Sequence, residues 1–141
     1  MNTIETIIRE HGGIDAVCRR HIRIENKPFL RLVIEVVAGP FPDGGYEISV
    51  AHYGEQNGDA MRDPEITFLL KPGEPAWEWT PLTFLNDYFG VFQTAARYNA
   101  DGVVERQEAR LIRELVDFSR QWDSNLKHQG FLEAYRKVRR D

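Results

Sequence analysis

Runs of β-branched and aromatic residues stand so close together in this chain that helices cannot join them, and this spacing restricts the fold more than any other feature. Phe29–Val37, Tyr46–Tyr53 and Ile66–Leu70 each have strand length and strand composition. Between the first two lies Gly39-Pro40-Phe41-Pro42-Asp43-Gly44-Gly45, a loop by its glycines and prolines. Gly54 to Met61 is polar, holds two glycines and reads as a turn. Parallel neighbours need a long crossover, usually a helix. Short linkers instead predict an antiparallel meander.

The flanks supply helices. Ile4, Ile7 and Ile8 share one helical side after Thr3, a candidate cap, and Gly12-Gly13 offers a stop. Ile14–Arg20 reads as a second short turn, with Cys18 expected to be buried or half-buried. Ile22 and Ile24 mark a weak strand before Pro28. Trp77 and Trp79 share one face of a short segment and are expected in the core. Phe84–Tyr98 reads as a strand bent or bulged at Gly90, with a helix that tolerates Gly90 as the alternative; its aromatics and β-branched residues favour the strand. After the turn Asn99–Gly102, a stripe of Val104, Leu111, Leu115, Phe118, Trp122 and Leu126 predicts a long amphipathic helix. Phe131, Tyr135 and Val138 predict a final short one. The expectation is therefore one α+β domain over residues 1–141: a short N-terminal helix, an antiparallel meander sheet of about four to six strands, and a long C-terminal helix packed on it.

Composition excludes several classes. No apolar stretch is long enough to span a bilayer, and the N-terminus lacks the basic start and apolar core of a secretory signal. The single cysteine cannot form an internal disulfide or a thiolate metal cluster. Cytoplasmic residence is the expectation. The net charge of −4 is unevenly spread: residues 35–87 hold ten acids and two basic residues, while both flanks are slightly basic. A basic ending (Lys127, Arg136, Lys137, Arg139, Arg140) suits phosphate contact, but the acidic total and the lack of a helix-turn-helix disfavour sequence-specific DNA binding. A nucleic-acid accessory role would require a contiguous basic face joining the two terminal segments, with salt-sensitive binding.

The least generic stretch is His52–Glu65. Asn57 and Gly58 have a sufficient explanation as turn residues. His52, Glu55, Asp59 and Asp63 are candidate metal ligands, because oxygen ligands and an imidazole hold divalent ions. Their spacing matches neither a helical His-Glu-x-x-His nor a calcium loop. Capping, pairing with Arg62 and solubility explain the same carboxylates structurally. Asp63 and Glu65 with Lys71 and Asp87 have the composition of a metal-dependent nuclease without its compact spacing. Ser49 lies on the strand face opposite His52, which argues against a Ser–His pair. Asn86 and Asp87 form a second polar pair among aromatics, with Asp87 expected to meet an arginine or a turn. Trp122, Asn125 and Gln129 form a third candidate group near a helix end. No cofactor is specified by any of these patterns.

The motif Ile48–Asp59 with Arg62-Asp63-Pro64-Glu65, then Trp79-Thr80-Pro81, Asn86-Asp87, and Trp122-x-x-Asn125-Leu126-x-x-Gln129-Gly130-Phe131, resembles an uncharacterised bacterial domain family associated with plasmids and integrative elements. The resemblance runs from about Ile22 to Phe131 and implies a bacterial accessory protein without an assigned activity. The leading expectation is a small non-enzymatic binding or interaction module, with a homodimer or another protein as partner; an exposed aromatic patch would support it. The alternatives are a metal-dependent hydrolase built on His52, Glu55, Asp59 and Asp63, and a nucleic-acid-associated accessory protein.

Overall fold

The computed structural model describes residues 1–140, the side chain of Arg140 excepted. Helices α1 (Asn2–His11) and α2 (Ile14–Arg19) lead into strands β1 (Ile22–Asn26), β2 (Phe29–Ala38), β3 (Tyr46–Gln56), β4 (Asp59–Lys71), β5 (Glu78–Asn86) and β6 (Val91–Thr94). A small hairpin, β7 (Ala96–Tyr98) and β8 (Val104–Gln107), precedes α3 (Ala109–His128) and α4 (Phe131–Arg140). The first six strands pair antiparallel in chain order, a pure meander. No helix among the described residues is long and apolar enough to cross a membrane.

Alternation divides the sheet into two unlike faces. Ile34, Val50 and Ile66 stand opposite one another across β2, β3 and β4, all fully buried. Leu32, Ile48, Phe68 and Leu70 extend this face, and α1, α3 and α4 close over it through Ile4, Ile7, Ile8, Trp122, Leu126 and Phe131. The other face carries the row Glu35, Ser49, Thr67, Thr83 and Thr94. Polar side chains there satisfy one another: Thr67 and Thr83 share a hydrogen bond at 2.5 Å. The β7–β8 hairpin lies against this polar face, with Tyr98 donating to Glu47. Burial, with that bond adding to it, pushes the Tyr98 hydroxyl up to about 12. Gly102 turns the hairpin at φ +79, and the Phe41 ring occupies the space a Cβ would need.

Several sequence expectations are corrected. Gly54–Met61 is not a loop: the ladder continues through Gln56 and Asp59, and only Asn57-Gly58 turns. Their φ values of 53° and 85° are those a two-residue hairpin turn requires. Phe84–Tyr98 is neither one bent strand nor a helix; a turn at Asp87–Gly90 folds it into a hairpin, and the first arm reaches back through Pro81 to Glu78. Val104 belongs to β8 and not to the long helix, which begins at Ala109. Thr3 lies inside α1, and its backbone N–H is itself capped from elsewhere. Cys18 is exposed, although its i+4 spacing from Ile14 sets it at the margin of the helix side that holds Ile14 and Val17. Partial desolvation raises its thiol above the ordinary value, with Asp15 adding to the effect.

Candidate functional site

The polar run His52–Glu65 spans the outer half of the β3–β4 hairpin, and a bulge sorts its side chains. Ala51 pairs with Glu65 and Tyr53 with Arg62, so both Asp63 and Pro64 stand opposite His52 alone. Proline brings no N–H, which suits a position withdrawn from the ladder. The bulge leaves His52 on the helix-covered face and sends Arg62 and Glu65 to the polar face.

His52 is a core residue, only 9% exposed. Its Nδ1 lies 3.0 Å from the Leu30 carbonyl, which can only accept, so Nδ1 carries the hydrogen. The ring packs between Trp122 and Phe131, each at a centroid distance of 5.5 Å. Burial holds its pKa below the ordinary histidine value, against the opposing effect of the Leu30 and Arg31 backbone bonds. Glu55 and Asp59 stand exposed near the hairpin tip. Asp63 turns to Asn86, whose Nδ2 donates to it at 2.6 Å. The four candidate metal ligands therefore do not converge; among the described residues, no three His, Cys, Asp or Glu side chains form a group able to hold a metal ion.

What does converge is the polar run with Asn86-Asp87. Arg62 donates from its backbone N–H to Asp87 Oδ2 at 2.8 Å, from Nε to the same oxygen at 3.0 Å, and from Nη2 to Oδ1 at 3.3 Å. The Asp87 N–H returns a bond to the Arg62 carbonyl at 2.9 Å. Arg62 Nη1 also faces Glu65 at 3.5 Å, and Glu65 accepts from Ser49 Oγ at 2.7 Å. The Arg62 guanidinium holds the Asp87 carboxyl below its usual range, and Asp87 raises Arg62 in turn. Asn86 Oδ1 meanwhile accepts the N–H groups of Tyr88 and Phe89 at 3.0 and 3.2 Å. Arg62, Asp63, Asn86 and Asp87 thus form a clasp that locks the β5–β6 turn onto the β4 bulge. Arg62 and Asp87 pair their charges and Asp63 accepts from Asn86, so the chemistry of the clasp is that of a brace.

The third candidate group is dispersed. Trp122 lies under His52 in the core, Asn125 is exposed, and Gln129 takes part through its backbone carbonyl, which accepts from Asn26 Nδ2 at 2.8 Å. Trp79 enters the core edge-on to Phe68 and donates from Nε1 to Glu5. Trp77 is half-buried, with the Arg9 guanidinium 4.3 Å from its ring centroid.

The turn held by the clasp displays Phe89 at 80% exposure and Phe92 at 64%, with Tyr88 and Val91 also exposed. Phe92 stands opposite Leu85 on the polar face. On the helical side, exposed Phe118 of α3 packs edge-on against Phe84, whose partner in β6 is Gln93. Sequence reasoning counts Phe84, Tyr88, Phe89 and Phe92 as strand formers and Phe118 as part of the core-facing helix stripe, whereas Phe118 is exposed. A signal was present: residues 88–96 contain no charged side chain, in a chain that is 28% charged. Asp123 was also missed, although an acid beside Trp122 within an apolar stripe is unusual. It is 6% exposed and accepts from the N–H groups of Thr3 and Ile4 at 2.9 and 3.1 Å, capping α1 from 120 residues away.

No curated protein sequence and no solved structure is significantly similar to the chain. A family model does match, over residues 2–132, and so covers every strand, both N-terminal helices, the clasp and the exposed hairpin. The chain belongs to the family described as Domain of unknown function (DUF6908).

Proposed function

We propose that the domain is a non-enzymatic interaction module that assembles with a second copy of itself, edge to edge through β6. The observation that carries this reading is the contrast between the two edges of the sheet. At the β1 edge Arg23 and Glu25 are exposed, and α4 packs beside the strand. Charge and cover are how soluble proteins protect a sheet edge from pairing. The β6 edge has neither: Val91, Phe92 and Gln93 are exposed, and the whole segment 88–96 is uncharged.

An open edge presents backbone donors and acceptors at strand spacing, and another strand satisfies them. A second β6 does so about a twofold axis without like-charge repulsion. With the axis at Phe92, each Phe92 faces its counterpart on the polar side and Val91 faces Gln93. Aromatic cross-strand pairs of this kind stabilise sheets by roughly 0.2–1 kcal/mol beyond backbone pairing. Four strand residues and Phe89 cover less than the ~800 Å² per partner of a stable interface, so a micromolar dimer is expected. The bacterial accessory setting implied by the sequence resemblance is compatible with such a module, and cytoplasmic residence is part of the same proposal. The hydrolase alternative draws no support from His52, Glu55, Asp59 and Asp63, which point apart.

Sedimentation velocity over a concentration series tests the proposal. The wild type is expected to shift toward twice 16.4 kDa at concentrations above ~10 µM. Phe92→Lys places a like charge at the twofold axis and is expected to stay monomeric, with its thermal midpoint nearly unchanged because Phe92 is mostly exposed. A wild type that remains monomeric to ~500 µM would overturn the reading.

A further inference from the structure

The two basic ends of the chain meet on the side of the molecule where α4 lies beside α1 and β1. Arg136 ties α4 to α1 through a two-pronged bond to Glu10, at 2.9 and 2.7 Å. Next to that tie, His11 bridges Tyr135 Oη at 3.1 Å and the Arg20 carbonyl at 3.1 Å. The carbonyl can only accept, so the bridge fixes the hydrogen on Nε2 and holds the imidazole in place between the two segments. These ties enclose a cleft of about 530 Å³. Its floor includes the buried side chains of Ile22 and Tyr135; Arg20, His21, Arg23 and Arg139 stand around it, and no carboxylate lines it. Arg23 is shared with exposed Glu25 at 3.3 Å, while Arg20 and Arg139 form no ion pair among the described residues.

From this arrangement we infer a binding site for a phosphate ester, distinct from the β6 edge. Guanidinium groups present planar forks of N–H donors that match phosphate oxygens, and several arranged around one cleft favour a multiply charged anion. The apolar floor accommodates the organic part of the ligand. A volume of about 530 Å³ lies within the range of small-molecule sites and suits a ligand of mononucleotide size. The same phosphate chemistry is offered by a free phosphorylated small molecule and by the backbone of a single-stranded nucleic acid.

The test is a ¹H–¹⁵N NMR titration of the full chain with pyrophosphate, with a mononucleotide and with a short single-stranded oligonucleotide. Pyrophosphate is expected to shift the amides of His11, Arg20 to Arg23 and Tyr135. The double variant Arg20→Glu/Arg23→Glu is expected to weaken binding at least about tenfold, since it reverses two of the cleft's charges. Both positions are exposed, so its circular-dichroism melt should match the wild type; Arg110→Glu, on α3, should leave binding unchanged. An oligonucleotide that binds more tightly than the mononucleotide, with affinity falling linearly against log salt, identifies nucleic acid as the source. A mononucleotide that binds as well or better identifies a small phosphorylated ligand. The inference is overturned if millimolar pyrophosphate leaves the cleft amides unshifted, or if binding persists undiminished in the folded double variant.

Discussion

At the scale of single residues, His52 and Asp123 show how far apart two buried polar groups can stand in legibility. His52 alternates with Ile48 and Val50 in the sequence, so its place on the core face could be read from periodicity. Its neighbours in that core, Trp122 and Phe131, could not, because the contact depends on how the helices return over the sheet. Burial keeps its folded pKa below the unfolded value near 6.5. The unfolded chain therefore binds the proton more readily, and the contribution to stability is complete above pH 6.5 and lost as pH falls through the folded pKa. Urea melts at several pH values should show wild-type stability declining below about pH 6.5, and His52→Gln should flatten that decline. Asp123 has no periodic signature as a cap, since its partners Thr3 and Ile4 lie at the far end of the chain. Asp123→Ala leaves two buried N–H groups of α1 without their acceptor and is expected to cost about 2–3 kcal/mol, read by chemical denaturation. An unchanged midpoint would mean that α1 is held by its isoleucines alone.

At the scale of elements, the strands were legible wherever β-branched residues alternate, and illegible where the pairing partner supplied the order. The run Gly54–Met61 looks like a loop by composition, yet Asn57-Gly58 turns so tightly that its polar flanks are forced into register. The run 84–98 looks like one strand because its aromatics are strong strand formers. The clasp explains why it folds back: Asn86 caps the turn amides while Arg62 grips Asp87. That the two polar motifs meet was invisible in one dimension, since the bulge that aims Arg62 arises from the mismatch of β3 and β4. Asp87→Asn retains the shape but loses the charge that faces Arg62. With Arg62 partly exposed, the loss is expected to be near 1 kcal/mol. It should concentrate locally, as faster amide hydrogen exchange over Tyr88–Thr94 than over β3. Equal acceleration along both segments would show that the clasp does not govern the hairpin.

At the scale of the whole molecule, the sheet is finished on one side and unfinished on the other. The helices cover one face, the β7–β8 hairpin lies against the other, and charge guards the β1 edge. The β6 edge, presented by the clasp, is left with its aromatics in solvent. On the proposed reading, the most distinctive polar sequence in the chain serves as a mount, and the uncharged segment beside it is the working surface. Hydrogen exchange over Val91–Thr94, followed as protein concentration rises, measures this directly. If β6 pairs with β6, protection there should grow with concentration in the wild type and stay constant in Phe92→Lys, while the central strands remain unchanged in both. Exchange at β6 that is independent of concentration, in protein shown to be folded, would contradict the account.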